Sequence, residues 1–400
     1  MYALIVSFDS LATNSIGCYG NEWIETPHLD RLAATGAIFD RSFVDSVGSQ
    51  AGMAWSNGRH HVTASQDFGS NSLGNLLKSN GIRTQLIAAG SPQSWQQAAD
   101  FHKVSRVQGN DGPDAKPDEI PFAQVVREGI SVLNELPSGG EDRLLWLHAA
   151  CPGAPPEGFD ELYFEDFEER GQQIAELPDE ARARHPAVYA GSVSLLDHWL
   201  GELIASVETV STREPLLLIV TAASGYLWQE IISPASGSPS IQYSPPGDQL
   251  ARTPMLLKVY SDARSAEIIS LRSDRFVQAC DLVPTLIDWF GKAGATGSLP
   301  LEGRSLLREL TDDGPGRPYV LYGDGHFMNA IRTPDWLCVQ DRSPDLPPGL
   351  LTPDRASFVS LYVKPEDVWE VNNVASQQPE VVDELLRLMT DDKREPENQG

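Results

Sequence analysis

The fold is decided by the stretch IVSFDSLATNSIGCYGNEWIETPHLDRLAATGAIFDRSFV, residues 5–44. Its apolar start, within Ala3–Phe8, predicts a strand that is buried on both faces. Thr26 supplies a helix cap and Pro27 a first-turn proline, so a helix is predicted that stops at Gly36. A strand followed by a turn and a helix is the repeating unit of α/β folds.

Further apolar runs along the chain predict more strands of a buried parallel sheet. These runs are Thr84–Ala88, Leu144–Ala149, Leu216–Thr221 and Thr253–Tyr260. Helical patterns lie between or after them, at Ser70–Asn80, His185–Ser206 and Phe276–Phe290. The alternation predicts a doubly wound α/β domain, whose site lies beyond the carboxyl ends of the strands.

The last part of the chain predicts a small antiparallel sheet with one C-terminal helix. The strand-like pieces are Tyr319–Tyr322, Met328–Arg332, Trp336–Gln340 and Phe358–Val363, and the helical pattern is Pro379–Met389. The turn-rich segment DDGPGRP, residues 312–318, precedes them. We therefore expect an α/β domain over residues 1–312, a small α+β subdomain over 319–391 packed on it, and a flexible tail over 392–400.

Composition narrows the classes of partner. The chain has 400 residues, 41% of them hydrophobic, which is enough for a large core. Its formal net charge of −26 argues against nucleic acid, whose phosphates would be repelled. No apolar run is long enough for a membrane span, and the start lacks the basic lead-in of a signal peptide. We expect a cytoplasmic protein without a membrane partner.

Read in order, the motifs resemble the sulfatase family of the alkaline phosphatase superfamily over nearly the whole chain. Residues 5–44 are similar to the family's first strand, its Gly-Cys-Tyr-Gly turn and its Thr-Pro-x-Leu-Asp-x-Leu-Ala helix. Further similar motifs follow in family order: GIRTQLI (81–87), WLHAACPGAP (146–155), YAGSVSLLDHWLGELI (189–204), RTPMLLKV (252–259), DLVPTLIDWFG (281–291), LEGRSLL (301–307) and SLYVKPEDVWEVNNVA (360–375). The resemblance implies an alkaline-phosphatase-like fold: a doubly wound, mostly parallel sheet flanked by helices, plus the small antiparallel sheet.

The resemblance also implies a metal site, and most of its ligands are replaced. Family sulfatases hold a divalent cation, usually calcium, with an Asp-Asp pair after the first strand and with Asp and His or Asn after a later one. This chain has Asp9 and Ser10 at the first pair, and Ala223 and Ser224 at the second. One carboxylate cannot supply the roughly six to eight oxygens that calcium prefers. We expect no bound metal and no cofactor.

The nucleophile position is degenerate in the same way. Family sulfatases oxidise a cysteine or serine in a C/S-x-P-x-R motif to formylglycine. Counting forward from Phe43 places this residue at Ser49, and counting back from Arg59 places it at Gly48; the proline and arginine are missing in both alignments. Ser49 could act as an alcohol nucleophile if a metal or base activated it. The simpler interpretation is a serine that caps the helix after it.

The cationic groups of the family cleft are also replaced. Its lysine and histidine after the GIRTQLI strand correspond to Ala89 and Ser91, and its middle-strand histidine corresponds to Gly153. Arg59 and His60 could line the cleft, but helix-end packing and surface charge are the favoured interpretation.

Two polar side chains near the predicted site have local interpretations. Asp9 is expected to cap or pair with a neighbour. His148 lies in a strand beside Trp146 and is typical of a buried core histidine rather than a catalytic base.

Three functions are compatible with these residues. The favoured hypothesis is an inactive sulfatase homologue that serves in binding or assembly, with copies of itself or with active relatives. The alternative is a divergent hydrolase of sulfate or phosphate esters that uses Ser49 with Asp9, with Arg59 or His60, and with a calcium ion. A third hypothesis is a cleft that accepts an uncharged small molecule. The first is favoured because a doubly negative transition state needs fixed positive charge.

Overall fold

The computed structural model describes most of the chain. The residues described are 1–47, 55, 72–89, 100–110, 115–136, 139–150, 159, 161–168, 174, 185–226, 247–261, 270–292, 301–311, 315–324, 327–342 and 358–391.

The centre of the molecule is an eight-stranded, mostly parallel sheet. Its strands are β1 Tyr2–Phe8, β2 Ala37–Phe43, β3 Arg83–Ala89, β4 Lys103–Val107, β5 Arg143–Ala149, β6 Leu216–Ala222, β7 Met255–Tyr260 and β8 Leu271–Gln278. They lie in the order β4-β3-β5-β1-β6-β7-β2-β8. Only β7 runs antiparallel to its neighbours, β6 and β2. The central position of β1 between β5 and β6 explains why it is buried throughout and mostly apolar.

Helices cover both faces of this sheet. They are α1 Pro27–Thr35, α2 Leu73–Ser79, α3 Pro121–Asn134, α4 Glu165–Glu168, α5 Pro186–Ser211, α6 Asp248–Ala251, α7 Leu282–Trp289 and α8 Leu306–Thr311. Short 3₁₀ turns occur at Thr13–Ser15, Gly17–Tyr19, Glu161–Tyr163 and Ala279–Asp281. Leu4 and Val6 pack with α1, α3 and α5, whereas Ala3 and Ile5 pack with α2, α7 and α8. The predicted doubly wound α/β architecture is confirmed.

The structure corrects several element predictions. The run Thr253–Tyr260, predicted as a parallel strand, is the antiparallel β7. Strands β2, β4 and β8 were not predicted, because charged residues interrupt their apolar patterns. The predicted helix Phe276–Phe290 starts only at Leu282. Its first residues end β8, and the Gln278 and Asp281 side chains then form a capping box on the 3₁₀ turn Ala279–Asp281 that precedes the helix.

A second sheet of four antiparallel strands follows, as predicted. Its strands are β9 Val320–Gly323, β10 Met328–Arg332, β11 Trp336–Asp341 and β12 Phe358–Val363, in the order β12-β11-β10-β9, and α9 Pro379–Asp391 follows them. One face packs against α9 through Ile331 and Leu361. The other packs against the large sheet, where Tyr322 stacks on Phe43. The small sheet therefore shares an apolar seam with the large one.

Buried polar groups reinforce this seam. Gln278 Nε2 donates to Asp45 Oδ1 at 3.0 Å and to the Leu321 carbonyl at 2.8 Å. The Asp281 carboxylate, which is fully buried, accepts from both terminal nitrogens of Arg317 at 2.6 Å each. It also accepts the backbone N–H groups of Gln278 and Arg304, so its oxygens have the partners that a buried charge needs.

No helix within the described residues combines the length and the apolar character that crossing a bilayer would require.

Candidate functional site

The carboxyl ends of three central strands bring Asp9, His148 and Ala223 to one edge of the sheet. Ser7 of β1 lies opposite His148 of β5, and Phe8 lies opposite Ala222 of β6. The backbone continues this pairing past the strands. Asp9 N donates to the Ala149 carbonyl at 3.1 Å, and Ala223 N donates to the Phe8 carbonyl at 2.7 Å. The expected position of the site in a doubly wound sheet is therefore occupied by these residues.

The turn after β6 is fixed against β1 by short-range contacts. Leu11 N donates to the Ser224 carbonyl at 2.9 Å, and the Ser224 hydroxyl donates to the Asp9 carbonyl at 3.1 Å. Gly225 lies directly against α6: a Cβ atom there would come within 1.9 Å of the Gln249 carbonyl oxygen. Only glycine permits this approach.

A chain of hydrogen bonds runs under this edge from Trp146 to Asp9. Trp146 Nε1 donates to Ser7 Oγ at 2.8 Å, Ser7 Oγ lies 2.8 Å from His148 Nδ1, and His148 Nε2 lies 2.9 Å from Asp9 Oδ1. An indole can only donate, so Ser7 Oγ accepts from Trp146 and forms a further hydrogen bond with His148 Nδ1. On its other side, the imidazole Nε2–H donates to the Asp9 carboxylate.

The charge at this edge belongs to Asp9. The hydrogen bond from His148 lowers the pKa of the Asp9 carboxyl, and this effect outweighs the opposing effect of burial. The Asp9 side chain is 56% exposed, whereas that of His148 is almost fully buried. Among the described residues, the ion-pair partner of Asp9 is His148. The site therefore presents an ionised carboxylate to solvent.

These residues do not fit the cation that the family resemblance implies. Ala223 has no donor atom, the Ser224 hydroxyl is bonded to backbone, and one oxygen of Asp9 is bonded to His148. The described part of the chain contains no group of three or more His, Cys, Asp and Glu side chains arranged to hold a metal. Calcium prefers roughly six to eight oxygens, and the residues described at this edge offer far fewer.

The structure places some of the predicted site residues and not others. Ser10, half-buried, follows Asp9 directly, and Ala89 is buried at the end of β3, beside the strand that carries His148. The positions predicted for the nucleophile and for the rest of the cleft lie outside the described residues: Gly48, Ser49, Arg59, His60, Ser91 and Gly153.

The hydrogen bond between His148 and Asp9 is the contact at this edge that the sequence did not predict. The interpretation of His148 as a buried histidine with both ring nitrogens bonded agrees with the structure. Its partners depend on β1 lying next to β5. The sequence carries one relevant signal. Trp146 and His148 are two residues apart on one strand, so their side chains lie on the same face of the sheet.

Comparison with known families matches residues 2–292 to the family described as Sulfatase. This chain belongs to the sulfatase family. The match starts at β1 and ends just past α7, so it includes Asp9, His148 and Ala223. Among curated proteins, no similar sequence was found for this sulfatase-family chain.

Solved structures with the same fold include sulfatases and related hydrolases. A phosphonate monoester hydrolase of Agrobacterium radiobacter is 15% identical, with a TM-score of 0.70 over 98% of this chain and 96% of that one. The protein yidJ of Bacteroides fragilis, a candidate sulfatase, is 16% identical, with a TM-score of 0.71 over 97% and 94%. BT4656, solved with its substrate D-glucosamine-2-N,6-O-disulfate, is 15% identical, with a TM-score of 0.70 over 99% and 98%. At these identities the likeness establishes the fold alone.

Proposed function

We propose that this chain is a catalytically inactive member of the sulfatase family that serves in binding or assembly. The observation that carries the proposal is the environment of Asp9. Asp9 is the carboxylate that remains among the family's ligand positions, and it is bonded to His148. The facing positions, Ala223 and Ser224, offer a methyl group and a hydroxyl that is bonded to backbone.

The physical reason is the sign of the charge at this edge. Hydrolysis of a sulfate ester accumulates negative charge on the sulfate oxygens, which must be balanced by a cation or by fixed donors. Here the edge carries an ionised carboxylate, in a chain of net charge −26. A sulfate ester is repelled by this arrangement rather than stabilised.

A binding role is consistent with how much of the fold remains. The large sheet, its helices on both faces and the second sheet are all present, although ligand positions of the family are replaced. We propose another protein as the partner, in the cytoplasm, with active sulfatases and further copies of this chain among the candidates. Nucleic acid is disfavoured by the negative charge.

The test combines elemental analysis with enzyme assays on the purified full-length chain. We expect less than stoichiometric calcium, magnesium and zinc, no aldehyde hydrate at residue 49 in peptide mass spectra, and no turnover of 4-methylumbelliferyl sulfate or phosphate above buffer. An active sulfatase assayed in parallel serves as the positive control. Stoichiometric metal together with turnover that Ser49→Ala abolishes would support the divergent ester hydrolase instead.

A further inference from the structure

The turn between β12 and α9 has its charged and apolar side chains in unusual places. We call residues 364–373 the Trp369 turn. Its apolar side chains face solvent: Val368 is 60% exposed, Trp369 66% and Val371 82%. Its lysine, Lys364, is buried. An exposed large apolar group needs no explanation when it is single, but three within four residues form a patch.

Hydrogen bonds from the charged side chains fix the shape of this turn. Lys364 Nζ donates to Glu370 Oε1 at 2.8 Å and to the Asp367 carbonyl at 3.1 Å. The same Glu370 oxygen accepts from the backbone N–H of Asp248 at 2.8 Å. The Asp367 carboxylate accepts from the backbone N–H groups of Val371 and Asn372 at 3.0 and 2.9 Å.

The backbone of Glu370 indicates that the surrounding contacts fix the conformation of the turn. Its φ of 57° lies in the left-handed region, which is costly for a residue other than glycine. Such a conformation persists where the surroundings determine it, as Lys364 and Asp248 do here. Trp369 and Val371 flank this residue, so their positions are set before any partner arrives. A pre-organised patch loses little conformational entropy on binding.

Two exposed acidic side chains lie within or beside the turn in the described part of the chain. The nearby cations Arg332 and Lys364 have side chains only 8% and 1% exposed and are paired with Asp248. Glu366, within the turn, is exposed. Asp335 is exposed as well, and its carbonyl accepts the backbone N–H of Lys364 at 2.8 Å, which places it beside the turn. The patch therefore has an apolar centre and an anionic rim.

We propose that the Trp369 turn is a docking site for a positively charged protein surface with an apolar pocket for the indole. A tryptophan held on a fixed turn is typical of the residues that dominate binding energy at protein interfaces. The acidic rim sets the sign of the partner, because complementary charge guides association. A second copy of this chain carries the same rim and the same net charge of −26, so it is disfavoured as the occupant. The proposal rests on the binding role proposed above and names the chemistry of the partner.

The first experiment asks whether the indole is free in the protein alone. Acrylamide quenching of tryptophan fluorescence is compared between the wild type and Trp369→Phe. We expect the wild type to show an additional, readily quenched component that the variant lacks. Identical quenching in both would mean that the chain itself covers Trp369, and would overturn the proposal.

The second experiment measures docking with defined probes in 150 mM salt. The probes are a labelled amphipathic peptide of lysine and leucine, a scrambled peptide of the same composition, and a glutamate–leucine counterpart, followed by fluorescence anisotropy. We expect Trp369→Ser to weaken binding of the lysine–leucine peptide at least tenfold. Leu162→Ser is the matched control, because Leu162 is a comparably exposed apolar residue at 56% and lies elsewhere in the fold. It should leave the affinity within twofold.

Several outcomes would overturn the docking site. They are no binding by the wild type, equal binding by Trp369→Ser, equal binding of the scrambled or acidic peptide, and a dimer in light scattering that Trp369→Ser dissociates. Circular dichroism and melting curves of each variant separate loss of docking from loss of fold. Ester turnover in the assays above would overturn the proposed function and leave these binding results intact, so the two failures are distinguishable.

Discussion

His148 Nε2 and Asp9 Oδ1 lie 2.9 Å apart at the carboxyl edge of the central sheet. Asp9 stands at a metal-ligand position of the sulfatase family, and one of its carboxylate oxygens is hydrogen-bonded to the His148 imidazole. The contact joins two strands whose residues are 139 positions apart in the chain. It also sets the ionisation of the site, since it is the main cause of the lowered pKa of Asp9.

Replacing His148 should therefore raise the pKa of Asp9. In His148→Leu the carboxylate loses its donor while burial, which opposes ionisation, remains. The pKa can be followed by carbon-detected NMR titration of the Asp9 carboxyl. His198→Leu, at an exposed histidine on α5, is the control and should leave it unchanged. An unchanged Asp9 pKa in His148→Leu would contradict the assigned hydrogen bond.

The same variant should change stability in acid. The folded-state pKa of Asp9 lies below its ordinary value of 3.8, so the ionised group contributes stability above about pH 4. This contribution is lost as the pH falls through the folded-state value. The wild type should therefore lose stability more steeply below pH 4 than His148→Leu, as measured by urea unfolding at each pH. An equal dependence of the unfolding free energy on pH in both proteins would contradict the effect of His148 on the ionisation of Asp9.

The two parts of this site, the turn at Ala223 and Ser224 and the pair of His148 with Asp9, differ in how far the sequence predicts them. The substitutions at Ala223 and Ser224 could be identified from motif order, because local sequence fixes the strand and the turn after it. The pairing of His148 with Asp9 could not, because it depends on which strands become neighbours. That order is set by packing over the whole sheet, which no local pattern encodes.

The fold shows the same division. Strands β1, β5 and β6 are apolar runs in the sheet interior and were predicted from periodicity. β4 and β8 lie at the two sheet edges, where exposed charged residues interrupt the apolar sequence, so their patterns are weak. The direction of β7 is a property of its connection to β6, since an apolar run gives no direction.

Restoring the family's ligands should create a cation site. The triple variant Ser10→Asp, Ala223→Asp and Ser224→His places new donors beside Asp9 without altering Gly225. Ala223 is buried, so the new carboxylate should destabilise the metal-free variant and make it calcium-dependent. Calcium at about 100 times its Kd should then stabilise it by roughly 2.7 kcal/mol.

Differential scanning fluorimetry with calcium and with EDTA measures this effect. The wild type is the matched control and should melt at the same temperature in both. A calcium-dependent rise in the melting temperature of the wild type would instead indicate that its own residues bind the ion.

The buried pair Arg317–Asp281 should be a large contributor to stability. Arg317→Met leaves the Asp281 carboxylate buried without its cation, which should cost about 3–5 kcal/mol in the free energy of unfolding. Arg83→Met is the control. Its partner Glu141 and Arg83 itself are both more than half exposed, so the loss there should be under about 1 kcal/mol. Urea denaturation measures the loss for both variants. Similar losses would contradict the prediction that the buried ion pair contributes more to stability than the exposed one.

Asp197 should give the protein a stability that falls as the pH rises from about 4 to 6. Its carboxylate accepts the backbone N–H groups of His28 and Leu29 at the start of α1, yet burial raises its pKa to about 6. The folded state thus binds this proton more tightly than the unfolded state. The stability that the proton contributes is present below about pH 4 and is lost as the pH approaches 6.

A difference measurement isolates this group. The free energy of unfolding of the wild type minus that of Asp197→Asn should fall by roughly 2–3 kcal/mol between pH 4 and 6.5. Asp274→Asn, at an exposed position in β8, should show no such slope. A flat difference for Asp197→Asn would mean that its two N–H donors cancel the effect of desolvation on its pKa.

The central place of β1 has a consequence for how the chain must be made. β1 precedes its neighbours β5 and β6 by some 140 and 210 residues. During synthesis, this buried segment therefore waits for some 140 further residues before β5 can pair with it, and for some 210 before β6 can. Folds whose paired strands are this far apart in sequence form slowly and expose aggregation-prone intermediates during folding. We expect production of this protein to depend on chaperone capacity more than the stability of the finished molecule would suggest.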